Sequence, residues 1–444
     1  MPDLLRPFLA LILCALLSAC GLGGDEAVVE PVRRRALADL TPTPVTTTEL
    51  LDWAEQVYPT LFPGHEANLR FDPYTYRYYP ATRNYVGVGD GKVYLMGPVA
   101  ASLAGDRYLG EPYAYSDVAT LTCVIHPDRC GRKTVHRITV GGQSREFIVY
   151  VPWKAQAPGA RMPAVLMLHG TSGDGERFYS ISGWREKADA EGMVVVFPTA
   201  LVHCLFNDAN HNGIAEAGEV EVATKWASGS TGVIVPLCGA DQLARLNPTQ
   251  RAQADHPLAD DITFMGAILD TLRSDYPVDM KRVYASGFSN GGSMTARMVV
   301  QMADRFAAFG VAAGRLLVAP LPPARLPPVV YSVGTLDDLE MATLGTTNPL
   351  PLTAALGEDP MFRQEVTGPL VTALRLSPSG SWSAQDIGRV HTSRFVHRPL
   401  DAGATHQLTV WIIDGATHEY PNGTNHPVKM VDLLWEAFRG VSLP

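Results

Sequence analysis

Five residues, Gly287-Phe288-Ser289-Asn290-Gly291, limit what this chain can fold into more than any other stretch of its 444 residues. Lys281-Arg282-Val283-Tyr284-Ala285-Ser286 before them reads as a strand, and Gly292-Ser293-Met294-Thr295-Ala296-Arg297-Met298-Val299-Val300 after them reads as a helix. A strand that turns into a helix across one residue needs glycine on both sides, where a side chain would clash. Such a turn lifts the serine oxygen above a sheet edge and sets it at a helix N-terminus. The spacing predicts a nucleophile at Ser289.

The surrounding chain predicts the sheet this turn requires. His136-Arg137-Ile138-Thr139-Val140 and Glu146-Phe147-Ile148-Val149-Tyr150-Val151 pair around Gly141-Gly142. Ala164-Val165-Leu166-Met167-Leu168 is wholly apolar, as suits a buried central strand. A helix over Trp184 to Glu191 leads to the strand Met193-Val194-Val195-Val196-Phe197. Over 259–276, Ile262, Met265, Leu269, Leu272 and Tyr276 share one helical face. Later strands are expected at Val329 to Val333 and Gln407 to Ile413, and a last helix near Val428 to Phe438. Strands alternating with helices imply an α/β fold with a mostly parallel sheet covered on both faces.

A serine hydroxyl needs a base to take its proton, and that base needs a carboxylate to orient it. The strand 329–333 runs into Gly334-Thr335-Leu336-Asp337-Asp338, and the strand 407–413 into Asp414-Gly415-Ala416-Thr417-His418. Serine, then acid, then histidine, with the last two after later strands, is the α/β-hydrolase order. Asp337 is assigned as orienter and His418 as general base. Asp338 and His426 are the alternatives, disfavoured by position. An oxyanion needs donors fixed in advance. The N–H of Asn290, after the nucleophile, is one. The second is assigned to Thr171, in the glycine-rich loop Leu168-His169-Gly170-Thr171-Ser172-Gly173.

These motifs occur in the order of one family. Leu168-His169-Gly170, Glu191-Gly192-Met193-Val194-Val195-Val196-Phe197-Pro198, Asp260-Asp261-Ile262, Arg282-Val283-Tyr284 through Ser289-Asn290-Gly291-Gly292, Gly334-Thr335-Leu336-Asp337 and Gly415-Ala416-Thr417-His418 carry the likeness. Over roughly 131–440 the chain resembles the secreted polyhydroxybutyrate depolymerase and feruloyl or acetylxylan esterase family. The resemblance implies an α/β-hydrolase fold and ester hydrolysis through an acyl-serine. It departs from the family around Ala416-Thr417-His418-Glu419-Tyr420, where a glycine run before the histidine is common. It departs again in the long insertion 203–258.

Within that insertion, Asp208-Ala209-Asn210-His211-Asn212-Gly213-Ile214-Ala215-Glu216-Ala217-Gly218-Glu219 matches the calcium loop of an EF-hand by position. Asp208, Asn210 and Asn212 offer side-chain oxygens and Ile214 a carbonyl. Glu216 stands at position nine, and Glu219 is the bidentate ligand. The flanks do not read as helices. Structural Ca2+ is the expectation, and no organic cofactor is implied.

The first 19 residues read as a signal: Arg6, an apolar run from Phe8 to Leu17 too short to span a bilayer, then Leu17-Ser18-Ala19-Cys20. The order of small residues before Cys20 resembles a bacterial lipobox, so Cys20 is expected to be lipidated and to anchor the chain at the outer membrane or cell surface. Residues 20–48 read as a flexible tether. Residues 49–122 read as a small aromatic-rich α+β module, with a helix on Leu50, Trp53, Ala54, Val57 and Leu61 and then tyrosine-rich strands. The catalytic domain takes 123–444. With Cys14 in the signal, Cys123, Cys130, Cys204 and Cys238 remain, an even number suited to an oxidising compartment. Of three pairings, proximity favours Cys123–Cys130 and Cys204–Cys238. A net charge of -9 argues against nucleic acid as a partner. The partners implied are an ester substrate, polymeric ones included, and a membrane. Trp184, Trp226 and Trp382 are candidates to line the pocket. The rival readings are a serine peptidase of the same fold and an inactive, calcium-stabilised surface-binding lipoprotein.

Overall fold

The structure is a computed structural model. It describes residues 46–57, strand segments between 68 and 117 with residue 82, and residues 131–444 apart from 154–158, 160, 209–211, 213 and 217. The signal segment, Cys20, Leu61, Asn210, and the Cys123 and Cys130 pair lie outside the described residues. The chain divides into two units between Cys130 and Gly131.

In the first unit a helix, α1 (Thr47–Val57), precedes five antiparallel strands: β1 (Asn68–Phe71), β2 (Tyr74–Tyr79), β3 (Asn84–Gly89), β4 (Lys92–Met96) and β5 (Pro112–Asp117). Leu50, Leu51 and Ala54 bury one face of α1. Buried Arg77 on β2 ties that helix to the sheet, reaching Asp52 at 3.1 Å and Glu55 at 2.9 Å. The Tyr79 hydroxyl donates to the same Glu55 carboxylate at 2.9 Å. A charge buried this way requires its partners, so one polar cluster fixes the register of helix on sheet.

The second unit is built on ten strands: β6 (Arg132–Val140), β7 (Gln143–Val151), β8 (Met162–Leu168), β9 (Val194–Pro198), β12 (Val278–Phe288), β13 (Ala308–Ala312), β14 (Val329–Leu336), β15 (Ser381–Ile387), β16 (Val390–His397) and β17 (Leu408–Thr417). The two strands between, β10 (Val202–Phe206) and β11 (Val220–Thr224), form a separate hairpin in the insertion. Spatial order is β6-β7-β9-β8-β12-β13-β14-β17-β16-β15. From β9 to β17 all pairings are parallel, and β6, β7, β15 and β16 are antiparallel additions at the two edges. The strand order with its reversal at β8 and β9, and the serine turn after the fifth strand, define an α/β-hydrolase fold.

Helices cover both faces: α2 (Gly175–Ile181), α3 (Trp184–Glu191), α4 (Ala240–Arg245), α5 (Pro248–Ala254), α6 (Asp261–Asp275), α7 (Asn290–Gln301), α8 (Asp338–Thr343), α9 (Ala354–Glu358), α10 (Gly368–Ala373) and α11 (Met430–Phe438). Apolar side chains alternate between two cores because successive strand residues face opposite ways. Leu166, Leu168, Val194, Val196, Val283 and Ala285 pack with α6 and α7. Val165, Met167, Val195, Phe197 and Tyr284 pack with α3 and α11. Trp184 belongs to the second core: it is fully buried and stacked 6.5 Å from Phe438, so it lines no pocket.

Three elements went unanticipated in the sequence. The strand β13 is short, uniformly buried and separated from α7 by only the six residues 302–307. The β15–β16 hairpin extends the sheet beyond its helices, and β15 is exposed along nearly its whole length, so its sequence carries no apolar face. In β10 and β11 the alternation is broken by the polar insertion they frame.

Candidate active site

In parallel sheets the carboxyl ends of the strands carry the chemistry, and Ser289, Asp337 and His418 stand just beyond or at the ends of β12, β14 and β17. Ser289 has φ 54° and ψ −120°. A residue with a Cβ disfavours that region, at a cost of about 1–3 kcal/mol. The surroundings enforce it: the Ser289 N–H donates to the Ala312 carbonyl at 2.8 Å, and its own carbonyl accepts from Ser293 N–H at 2.9 Å. A Cβ at Gly287 would lie 2.2 Å from the Gly291 carbonyl oxygen, and one at Gly291 would lie 2.3 Å from that of His169. Both glycines are therefore required by backbone packed against backbone.

His418 Nε2 lies 2.9 Å from Ser289 Oγ. Its Nδ1 lies 2.9 and 3.0 Å from the two oxygens of Asp337. A buried carboxylate accepts, so Nδ1 carries the proton and Nε2 presents its lone pair to the hydroxyl. Asp337 is 1% exposed. It is also the N-cap of α8, its Oδ1 accepting from Glu340 N–H at 3.1 Å. The Phe288 ring lies 5.1 Å from the imidazole, walling it on one side. The alternatives fall away on geometry: Asp338 is exposed, and His426 Nε2 pairs with the Asp414 carbonyl at 2.9 Å.

The loop after β8 runs against the serine turn, since a Cβ at Gly170 would meet Ser289 Cβ at 3.3 Å. His169 is fully buried and sets this loop. Its Nε2 accepts from Ala200 N–H at 3.0 Å, so Nδ1 bears the proton and donates to the Gly170 carbonyl at 2.6 Å. Gly173 N–H donates to the same carbonyl at 3.1 Å. In a trans peptide the N–H points opposite to the C=O, so two donors on Gly170 O aim the Thr171 N–H the other way. That N–H has no acceptor among the described residues. The Asn290 N–H opens α7 and lacks an intrahelical acceptor. Burial pulls His169 down to about 4, partly opposed by its bond to Gly170, so the ring is neutral.

The insertion is attached at this point. Trp226 is fully buried and its Nε1 donates to the His169 carbonyl at 2.8 Å. It supports the loop from below and lines no pocket. Trp382, by contrast, is 42% exposed on the outer strand β15. The Asn290 side chain accepts from Trp226 N–H at 2.6 Å and donates to the Ser228 hydroxyl at 3.0 Å. Asp261, paired with buried Arg145 at 2.6 Å, accepts from Ala227 N–H at 2.7 Å. Sequence reasoning missed these anchors because their partners lie between 34 and 116 residues away along the chain.

Cys204 and Cys238 form a disulfide with Cα atoms 5.3 Å apart. It closes the stretch that contains the calcium-type loop, which joins two strands here. Asn212 N–H donates to Asp208 at 3.0 Å, Asn212 Nδ2 donates to Glu216 at 3.0 Å, and Glu216 N–H donates to Glu219 at 2.9 Å. Ile214 N–H donates to the Asn212 side chain at 2.7 Å. Asn210 is outside the described residues. Among the described residues no three His, Cys, Asp or Glu side chains converge as a metal cage. A groove of about 360 Å³ lies elsewhere, bounded by Arg394, Trp411 and Glu436, and holds none of the triad.

The fold and this site define a serine-triad α/β-hydrolase. No protein-family model matches the chain. It is 26% identical over 303 residues to "Putative esterase NocK" of Nocardia uniformis subsp. tsuyamanensis, covering 66% of this chain and 75% of that one. It is 28% identical over 198 residues to the bifunctional acetylxylan esterase/xylanase XynS20E of Neocallimastix patriciarum, covering 45% of this chain and 22% of that one. It is 33% identical over 115 residues to the poly(3-hydroxyoctanoate) depolymerase of Pseudomonas fluorescens, covering 24% of this chain and 41% of that one. The chain is thus a carboxylic ester hydrolase similar to the depolymerase and esterase family named above.

Proposed function

We propose that the chain is an extracytoplasmic serine esterase working through an acyl-serine. As Ser289 Oγ bonds to the ester carbonyl carbon, His418 Nε2 takes its proton, and Asp337 holds the resulting imidazolium. The carbonyl electron pair moves onto oxygen, where the N–H groups of Asn290 and Thr171 receive it. Collapse breaks the bond to the alkoxy group, which leaves as an alcohol with the proton from His418. Water then repeats the sequence and releases the acid. The observation that carries this reading is the unbroken run from Ser289 Oγ through His418 to buried Asp337, each step 2.9–3.0 Å, on a turn whose backbone is held open for it.

The acyl donors are hydroxyalkanoate oligoesters or polyesters, or acetyl and feruloyl groups on sugars; the hydroxyalkanoate and acetyl chemistry is that named for two of the relatives. A panel of short p-nitrophenyl esters, hydroxyalkanoate oligomers, acetylated xylan and methyl ferulate separates them. A burst of p-nitrophenol stoichiometric with enzyme, lost in Ser289→Ala, is the expected result. No cleavage of any ester, or a Ser289→Ala variant as active as the parent, would end the esterase reading. Cleavage of peptides alone would favour the peptidase.

The same proposal places the chain on a membrane through lipidated Cys20, which incorporation of labelled palmitate and its loss in Cys20→Ala would test. It also assigns structural Ca2+ to Asp208, Asn210, Asn212, Ile214, Glu216 and Glu219. Unchanged melting temperature on chelation and in Asp208→Ala would remove the metal.

A further inference from the structure

Behind the triad lies a second carboxyl group that the chemistry above does not use. Glu340 is 4% exposed, and its Oε1 is buried without a hydrogen-bond partner. It sits three residues into α8 from Asp337, and its own N–H is the donor that caps the Asp337 carboxylate at 3.1 Å. On the neighbouring strand β14, the Tyr331 hydroxyl is likewise fully buried and unpartnered. Tyr331 titrates far above its ordinary range, first through burial and then through the charges of Glu340 and Asp337, so it stays neutral. The groups facing Glu340 are Asp337 on its own turn, His418 after β17, Arg315 after β13 and Glu365 beyond α9. Burial and the charges of Asp337 and Glu365 favour its acid form, whereas Arg315 and His418 favour its carboxylate; together they put it at about 6.

A carboxyl oxygen buried without a partner in this position is costly, and a packed apolar side chain would be the stable choice. Its site is behind the one residue pair whose charge changes in each catalytic cycle. We infer that Glu340 is a positioning residue of the triad: its buried carboxylate adds a second negative charge behind Asp337 and couples the protonation of His418 to its own. Ionised Glu340 strengthens the imidazolium that forms as Ser289 attacks. Protonated Glu340 withdraws that support, so the enzyme loses activity on acidification by two linked ionisations instead of one. The kinetic part of this inference rests on the esterase reading of Ser289; the coupling itself does not.

The test uses the full chain and the variants Glu340→Gln and Glu340→Asp. The acid limb of kcat/KM against pH in the parent should reach half its plateau at a higher pH than in Glu340→Gln. In Glu340→Gln that midpoint should move to lower pH, with kcat at pH 7.5 reduced about fivefold and KM unchanged. Glu340→Asp, which keeps the charge, should retain the parental profile. Histidine-labelled NMR reads the same coupling without turnover: the His418 titration should be broadened in the parent, and simple and displaced to lower pH by at least about 0.5 in Glu340→Gln. Superimposable His418 titrations in parent and Glu340→Gln would overturn the inference, whether or not any ester is cleaved. Should Glu340→Gln fail to fold, a parental His418 titration with a single proton's width, unaltered in Glu340→Asp, would overturn it equally.

Discussion

The Asn290 side chain and the Trp226 backbone are joined by two hydrogen bonds, Trp226 N–H to Asn290 Oδ1 at 2.6 Å and Asn290 Nδ2 to Trp226 O at 3.3 Å. The pair mimics one step of a strand ladder. It is made by the residue whose own N–H opens α7 beside the nucleophile. The insertion is thereby fastened to the reactive turn itself, and Trp226 in turn holds the carbonyl of His169 in the facing loop. Both proposed oxyanion donors are consequently tied to one short segment, 226–228.

Asn290→Ala should accordingly loosen the insertion and the oxyanion site together. Losing three side-chain hydrogen bonds, each worth about 1 kcal/mol net, should lower unfolding free energy by about 3 kcal/mol. The larger effect should be on kcat, by roughly tenfold to a hundredfold, with KM for a small p-nitrophenyl ester little changed. Steady-state kinetics beside urea denaturation checks this. Equal proportional loss in kcat/KM through KM alone would contradict it.

The ion pair under the same segment gives a second prediction. Arg145 and Asp261 are 1% exposed each, and the guanidinium also lies 3.9 Å from the Phe264 ring centroid. Removing one partner leaves a buried charge, so Asp261→Asn should cost about 3–5 kcal/mol. Replacing both, as in Arg145→Met with Asp261→Leu, should recover most of that stability. It should not recover full activity, because Ala227 N–H would still lack its acceptor. Denaturant midpoints and esterase rates on the three variants separate the two effects.

Much of this site was legible in the sequence because its parts are local. Gly287 and Gly291 announce the turn, and Asp337 and His418 follow apolar runs whose lengths fit buried strands. What was not legible depends on packing between distant segments. Nothing near Trp226 signals that it belongs under His169 and not in a pocket, since an apolar ring suits either place. Glu340 did carry a local sign: an acid three residues after Asp337 has capping-box spacing. The strand β13 and the β15–β16 hairpin were hidden because a short buried strand and a wholly exposed one both lack alternation.

Acid should destabilise the loop that bears Thr171. His169 is held at about 4 in the folded chain against 6.5 unfolded. Between those values the unfolded chain binds a proton that the folded one refuses, so stability falls as pH falls through that window. The full loss is about 3 kcal/mol. His203, also pulled down to about 4 by burial, adds in the same direction. Glu340 opposes them: raised to about 6 from 4.5, it makes the folded chain the better proton binder between those values, so stability there rises as pH falls. The two histidines outweigh the one carboxyl. Denaturation midpoints should therefore drop from pH 7 to pH 4.5, and His169→Gln should flatten that dependence. A midpoint that rises on acidification would contradict the assignment.

Reduction should act on the insertion first. Cys204 and Cys238 are 34 residues apart, and closing a loop of that length restricts the unfolded chain by roughly 3–4 kcal/mol on the entropy model. The strands β10 and β11 begin beside the bridge, and Cys238 N–H donates to the Cys204 carbonyl at 2.9 Å. The sheet core makes no use of the bridge, so Cys204→Ser with Cys238→Ser should leave the α/β scaffold folded. Segment 226–228 is held separately by Asn290 and Asp261, so it should keep its place until the hairpin beyond it frays. The expected outcome is a protein cleaved by protease between 205 and 237 before it loses secondary structure, with activity declining in step with that cleavage. Limited proteolysis followed by circular dichroism and ester turnover on the same samples decides it. Global unfolding without prior nicking would show that the bridge supports the whole domain.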